Sequence, residues 1–233
     1  MRRKTPGNPN QPVNQAEFDK LDLKRLCVPT RGIFYRVHGL NPLVGKPFEP
    51  LHFSRRNASR FDPAGGPGTL SLGKSLTVAL MEVFDDSWGP IGSSSRSLSS
   101  AQLYEWWVTL VWVPRVTLFD ARGQNLSKVG TDQQMVTGRH STSRRWALRL
   151  LRHPSTIDGI LYPSRHSSVD WNVALFRRPN FLPERFDASL DYPVPGLTAG
   201  APTDKLAYGS TLQFARHPQL REALVELEVA ILP

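Results

Sequence analysis

At 233 residues with 39% hydrophobic content, the chain is long enough for one domain with a sizeable core and short for two. No apolar run approaches the ~20 residues that cross a bilayer, and the basic start Arg2, Arg3, Lys4 leads into PGNPNQPVNQAEFDK where a secretory leader needs an apolar stretch, so a cytoplasmic protein is expected rather than a membrane or exported one. The single cysteine, Cys27, excludes an intramolecular disulfide and a cysteine metal cage, while the net charge of +9 favours an anionic partner without giving a nucleic-acid motif, because the basic residues fall in scattered pairs such as Arg55–Arg56, Arg144–Arg145 and Arg177–Arg178.

Residues 1–28, rich in Pro, Asn, Gln and charge, are expected to form a flexible tail with at most a helical turn near 16–25, followed by a single domain over 29–233. Residues 33–37 have the aromatic and branched composition of a strand, which places Tyr35 and Val37 on one face and Arg36 on the other. Pro63, Gly65, Gly66, Pro67 and Gly68 then predict a tight turn. It is not read as a phosphate loop, since neither the G-x-G-x-x-G nor the complete G-K-[ST] spacing is present. A short strand over 69–72 follows, and Ser75 is the expected N-cap of a helix ending near Phe84. On that helix Leu76, Ala79, Leu80 and Val83 recur at helical spacing and should face the core, with Val78, Glu82 and Asp86 along another face. Glu82 therefore belongs at the edge of the buried stripe.

The run GSSSRSLSS over 92–100 reads as a low-complexity loop. Residues 103–113 read as a central strand carrying Trp106, Trp107 and Trp112, ended by Pro114, with VTLFD continuing the sheet. An amphipathic helix is predicted over 143–153, stopped by Pro154, then strands over 159–162 and 170–176. A Pro-rich stretch from 179 to 202 precedes a last helix over 218–228. Helices mixed with strands, without strict alternation, indicate an α+β fold.

Several residues have the chemistry of a site. A guanidinium fixed between bulky neighbours binds anions through two parallel bonds that lysine cannot make; Arg36, between Tyr35 and Val37, and Arg60, beside Phe61 and Pro63, are of this kind. Glu82 lies in ALMEVF, where apolar neighbours disfavour its charge unless a cation is close. Ser164 follows the strand GILYP, which lets its hydroxyl emerge at a strand end. It is not read as a nucleophile, because the G-x-S-x-G setting is missing and His166 is too near in sequence. His38, His52, His140 and His153 show no metal-ligand spacing, and no metal is expected.

The motifs FYRV, RFDPAGGPGTLSLGKSLTVALMEVF and GILYPSR, closed by DWNVALF, span residues 32–176 in an order that resembles the RES domain, a family named for its Arg, Glu and Ser. The resemblance implies an α+β fold like that of ADP-ribosyltransferases, with split, mixed sheets around an NAD cleft. It implies catalytic roles for Glu82 and Arg36 and binding roles for Arg60, Ser164, Tyr35 and Ser71, with NAD as substrate and no cofactor. It further implies a toxin of a bacterial toxin-antitoxin pair, with a cognate antitoxin as partner. Such an enzyme breaks the nicotinamide-ribose bond and passes ADP-ribose to water or phosphate; transfer to a protein uses the same oxocarbenium chemistry. One position departs from the family pattern, which reads LYL after the glycine-rich turn. Here Ser71 stands where the aromatic would stack on nicotinamide, so weaker binding, another substrate or a non-catalytic NAD-binding module is the alternative.

Overall fold

The computed structural model describes residues 14–55, 59–63, 65–84, 88, 96–164, 170–179, 181, 184–185 and 205–232. The chain enters through α1 (Gln15–Phe18) and a 3-10 turn (Leu23–Leu26) into β1 (Cys27–Asn41), β2 (Lys46–Pro47), β3 (Thr69–Gly73) and α2 (Leu76–Phe84). It continues through β4 (Ser97–Ser99), α3 (Gln102–Glu105), β5 (Trp106–Asp120), α4 (Asn125–Lys128), α5 (Gln134–Thr137) and α6 (His140–Arg152). The last elements are β6 (Gly159–Pro163), β7 (Trp171–Phe176), β8 (Glu184–Arg185), β9 (Ala207–Gln213), a 3-10 turn (Phe214–Arg216), α7 (Leu220–Glu226) and β10 (Ala230–Leu232).

The branched and aromatic runs IFYRV and WWVTLVWV favour pleated backbone, and they lie in β1 and β5, which pair antiparallel from Cys27↔Phe119 to Gly39↔Trp106. On its second edge β5 is long enough to pair β9 near one end and β6 near the other. β6 pairs β7, β7 pairs β3, and β3 returns to β1 at the single register Tyr35↔Gly73, so five strands of the eight-stranded mixed sheet close into a ring. The expected split into separate sheets is thereby corrected: the β1–β5 ladder joins the two halves. Phe34, Leu70, Val111, Leu161 and Val173, one from each of the five strands, belong to one apolar cluster. The other face of the sheet carries two helical layers. α6 and Phe18 cover Phe119, Ile160 and Tyr162, while α2 and α7 cover Tyr35, Val37, Val108 and Leu110. The mixed α+β class read from the sequence is the class observed.

Four local expectations change. Phe18 and Leu23 are fully buried, so the expected tail packs on the core from α1 onward; residues 1–13 lie outside the described residues. Pro114 does not end the central strand, because β5 runs through it. At that point the β1–β5 register sets Arg31 alone against Pro114 and Arg115, a bulge in which proline's missing amide breaks no ladder bond. Val78, expected on a face other than the core stripe, is buried, whereas Val83 is only partly so; α2 is wedged between the sheet and α7 and buries more than one stripe. The Ser-rich run ends in β4, whose Leu98 is buried beside Arg96, and β4 pairs parallel with β10. Most of the Pro-rich stretch, and Asp86, Arg165 and His166, fall outside the described residues.

The seat of α2 is set by two short-range features. Ser75 accepts from the Val78 amide at 3.3 Å, capping the helix as its sequence predicts. Gly73 lets the helix backbone approach β3, since a Cβ there would lie 2.5 Å from the Ala79 nitrogen. Gly73→Ala is therefore expected to push α2 outward and destabilise the fold by about 1–3 kcal/mol, measured by urea unfolding; an unchanged midpoint would show that the helix yields without cost.

Candidate active site

Beyond the Tyr35↔Gly73 pair β1 and β3 part, and a cleft of about 140 Å³ opens there. Its wall is formed by Arg36 from β1, Ser71 from β3, Glu82 from α2, and Tyr35, His52 and Ser54 beside them. Three features separated in sequence are brought together by this one divergence of strands.

Glu82 is held from below. The buried Tyr162 hydroxyl donates to Glu82 Oε1 at 2.7 Å. Burial and the adjacent Glu82 carboxylate push the phenol well above its ordinary pKa, so it stays a neutral donor. Ser71 and Arg60 act in the opposite direction on the same phenol. This brace was not read from the sequence, although a signal exists: Tyr162 lies in the strand that leads directly to Ser164.

Arg36 has a buried Nε without a hydrogen-bond partner, and burial pulls its guanidinium down to about 10. It remains a cation at neutral pH, in a wall that leaves part of its hydrogen-bonding capacity unused. An anion in the cleft would satisfy it. Its neighbour on the ladder is Thr109, whose hydroxyl lies 2.9 Å from His38 Nε2 and 2.8 Å from the Thr211 hydroxyl. Tyr35, on the opposite face as expected, donates to Gln219 Oε1 at 3.2 Å, which ties the cleft to the turn before α7.

Burial, assisted by the charge of Arg36, lowers His38 to about 3. Between that value and the ordinary 6.5 the unfolded chain binds a proton that the folded chain does not, so stability rises with pH across this window. Its contribution is complete above about 6.5 and is lost as pH falls toward 3. His38→Gln should flatten the dependence of the urea midpoint between pH 6.5 and 4, by up to about 1.4 kcal/mol per pH unit. An identical slope in wild type and variant would refute the assignment.

Two expected binding residues lie off the cleft wall. Arg60 is buried at 5% exposure, and its Nη1 donates to the Gly138 carbonyl and to Ser143 Oγ at 2.5 and 3.3 Å. These bonds hold the guanidinium at the start of α6, while the adjacent Phe61 packs on Tyr162, with ring centroids 4.7 Å apart. From there its charge acts on Tyr162. Ser164 is also buried, and its amide donates to the Asp170 carbonyl at 3.0 Å, closing the turn-side end of β6 and β7. Among the described residues no three His, Cys, Asp or Glu side chains are grouped to hold a metal.

The molecule is thus a mixed α+β protein with a cleft in which a phenol-braced carboxylate and a desolvated guanidinium line one small space. The RES domain model matches residues 33–195, most of the chain, and the chain belongs to the RES domain family. Among solved structures it is similar to a chain of the M. tuberculosis MbcT-MbcA toxin-antitoxin complex, with a TM-score of 0.56 and 14% identity over 86% of this chain and 97% of that one. At that identity the likeness is one of fold. No curated protein matches the sequence.

Proposed function

We propose that the chain is a toxin that binds NAD in the cleft, breaks the nicotinamide-ribose bond and passes ADP-ribose to water or phosphate, and that a cognate antitoxin encoded with it neutralises it. The observation that carries this reading is the pairing of Glu82, braced by Tyr162, with the unsatisfied Arg36 across one cleft. Departure of nicotinamide leaves an oxocarbenium-like ribose. A carboxylate fixed beforehand stabilises that positive charge without reorganising, and Arg36 holds the phosphate on the nicotinamide side. Arg60 serves through Tyr162, keeping the phenol in place. Tyr35 supports Arg36 from the other face.

Family membership and the fold of the crystallised toxin-antitoxin complex support both the toxin role and the antitoxin partner. The decisive assay is incubation of the purified chain with NAD, with and without phosphate. Free nicotinamide with ADP-ribose or its phosphate is the expected result. Label transferred to protein would replace the acceptor, and absence of both products would leave a binding module at most, the outcome that Ser71 in place of the family aromatic favours. Co-expression of the partner should abolish NAD loss.

A further inference from the structure

Ser71 and Glu82 both line the cleft, one from β3 and the other from α2, and Tyr162 lies buried beneath them. The strand register puts Ser71 and Tyr162 on one face of the sheet. Ser71 pairs Ala174 and Ala174 pairs Ile160; directly opposed residues share a face, as do residues two apart on one strand, and Tyr162 is two beyond Ile160. Between them β7 carries only the methyl of Ala174, and the Ser71 hydroxyl hydrogen-bonds to the phenol across it.

A phenol has one proton to give. Tyr162 gives it to Glu82 Oε1 at 2.7 Å, so toward Ser71 it accepts and Ser71 donates. The two bonds therefore run in one direction, from the cleft wall at Ser71 through Tyr162 to the carboxylate. Two other hydroxyls of the same wall are turned elsewhere: Ser54 donates to Asp62 Oδ2 at 3.0 Å and Thr69 to the Phe61 carbonyl at 2.9 Å. With its proton given to Tyr162, the Ser71 oxygen accepts from a molecule in the cleft. Burial and the Glu82 carboxylate hold the phenol far above its ordinary pKa. It does not rest as a phenolate, and it passes a proton on only as it receives one.

We propose that Ser71, Tyr162 and Glu82 form a proton relay for the attacking water, which Ser71 holds, and that the relay serves hydrolysis rather than transfer to phosphate. The proposal rests on the NAD reading of the cleft. As the bond from ribose C1′ to nicotinamide breaks, nicotinamide leaves neutral with the electron pair, and the water oxygen forms the new bond to C1′. The water proton passes to Ser71 Oγ, the Ser71 proton to Tyr162 Oη and the Tyr162 proton to Glu82, which releases it to solvent. Glu82 thus carries its charge while the oxocarbenium ion forms and loses it only after capture. A phosphate dianion attacks with an oxygen that holds no proton, so it makes no use of the relay.

The test separates the two products of NAD turnover, ADP-ribose and its phosphate, at one fixed phosphate concentration. Ser71→Ala should lower the ratio of the first to the second about 10-fold, below the ~10²–10⁴ typical of general-base help, because an oxocarbenium ion is captured even by water that has not yet lost its proton. Tyr162→Phe cuts the next link and should shift the ratio equally, whereas Ser71→Thr keeps the hydroxyl and should restore it. A ratio of products does not depend on how much of each variant is folded. Azide, another anion with no proton to lose, replaces phosphate in the ratio where phosphate does not react. An unchanged ratio in Ser71→Ala or Tyr162→Phe, or equal loss of both products, overturns the relay and leaves the NAD reading intact. So does a wild type that makes the phosphate product alone. A wild type that releases no nicotinamide overturns the NAD reading and the relay with it.

Discussion

Glu82→Gln is expected to lower NAD turnover by about 10² to 10³, the scale of losing one well-placed transition-state contact, while leaving the fold near wild type. Glutamine keeps the length of the side chain and an oxygen that accepts from Tyr162, which now donates to Glu82 at 2.7 Å. What it removes is the negative charge under the developing oxocarbenium ion. The substrate ribose carries little positive charge before the bond breaks, so the loss belongs in kcat and KM should move far less. Tyr162→Phe separates holding from charge: it retains the carboxylate but deletes the brace, and a fall smaller than that of Glu82→Gln is expected. Single-turnover release of nicotinamide, with thermal unfolding of each variant, checks both. Wild-type turnover in Glu82→Gln, or loss of activity only through unfolding, would make the residue structural and overturn the mechanism.

Local patterns were legible in the sequence, and contacts between distant segments were not. The alternation of Tyr35, Arg36 and Val37, the Ser75 cap and the end of α2 at Phe84 depend on neighbours a few residues away, and the structure reproduces them. The burial of Phe18 and Leu23 depends on α6 and on β5, more than 80 residues along the chain. That contact turns a polar-looking segment into part of the core. Pro114 ends a strand by propensity alone, yet here the opposing register supplies a bulge that accommodates it. In the site, Arg36, Ser71 and Glu82 lie on one cleft wall, but the direction of Arg60 is set by Gly138 and Ser143, which no motif around Arg60 announces. Tyr162 is in the motif but was hidden by its apolar setting, since a tyrosine in a buried strand is usually core.

Arg36→Lys is expected to raise the KM for NAD by about 10² and to be nearly as harmful as Arg36→Ala. The side chain is half-buried, its Nε is buried without a partner, and desolvation alone pulls it down to about 10. A guanidinium in that setting stays charged at neutral pH and offers a planar fork to one phosphate; each charge-assisted bond it makes contributes about 1.5–3 kcal/mol. Lysine presents a compact ammonium with no fork, and the same burial that lowers arginine to about 10 acts on a group whose ordinary value, about 10.4, lies below that of arginine. The variant thus loses its charge at a lower pH than the wild type, as well as lacking the fork. This gives a pH signature: raising the pH from 7 to 9 should weaken NAD binding further in Arg36→Lys, as the ammonium loses its proton, and leave the wild type nearly unchanged over the same interval. Direct titration of NAD binding to both forms, on a Glu82→Gln background that prevents turnover, reads the affinity free of chemistry. Equal affinities for arginine and lysine at pH 7 would show that charge alone matters at this position and that the fork is not used.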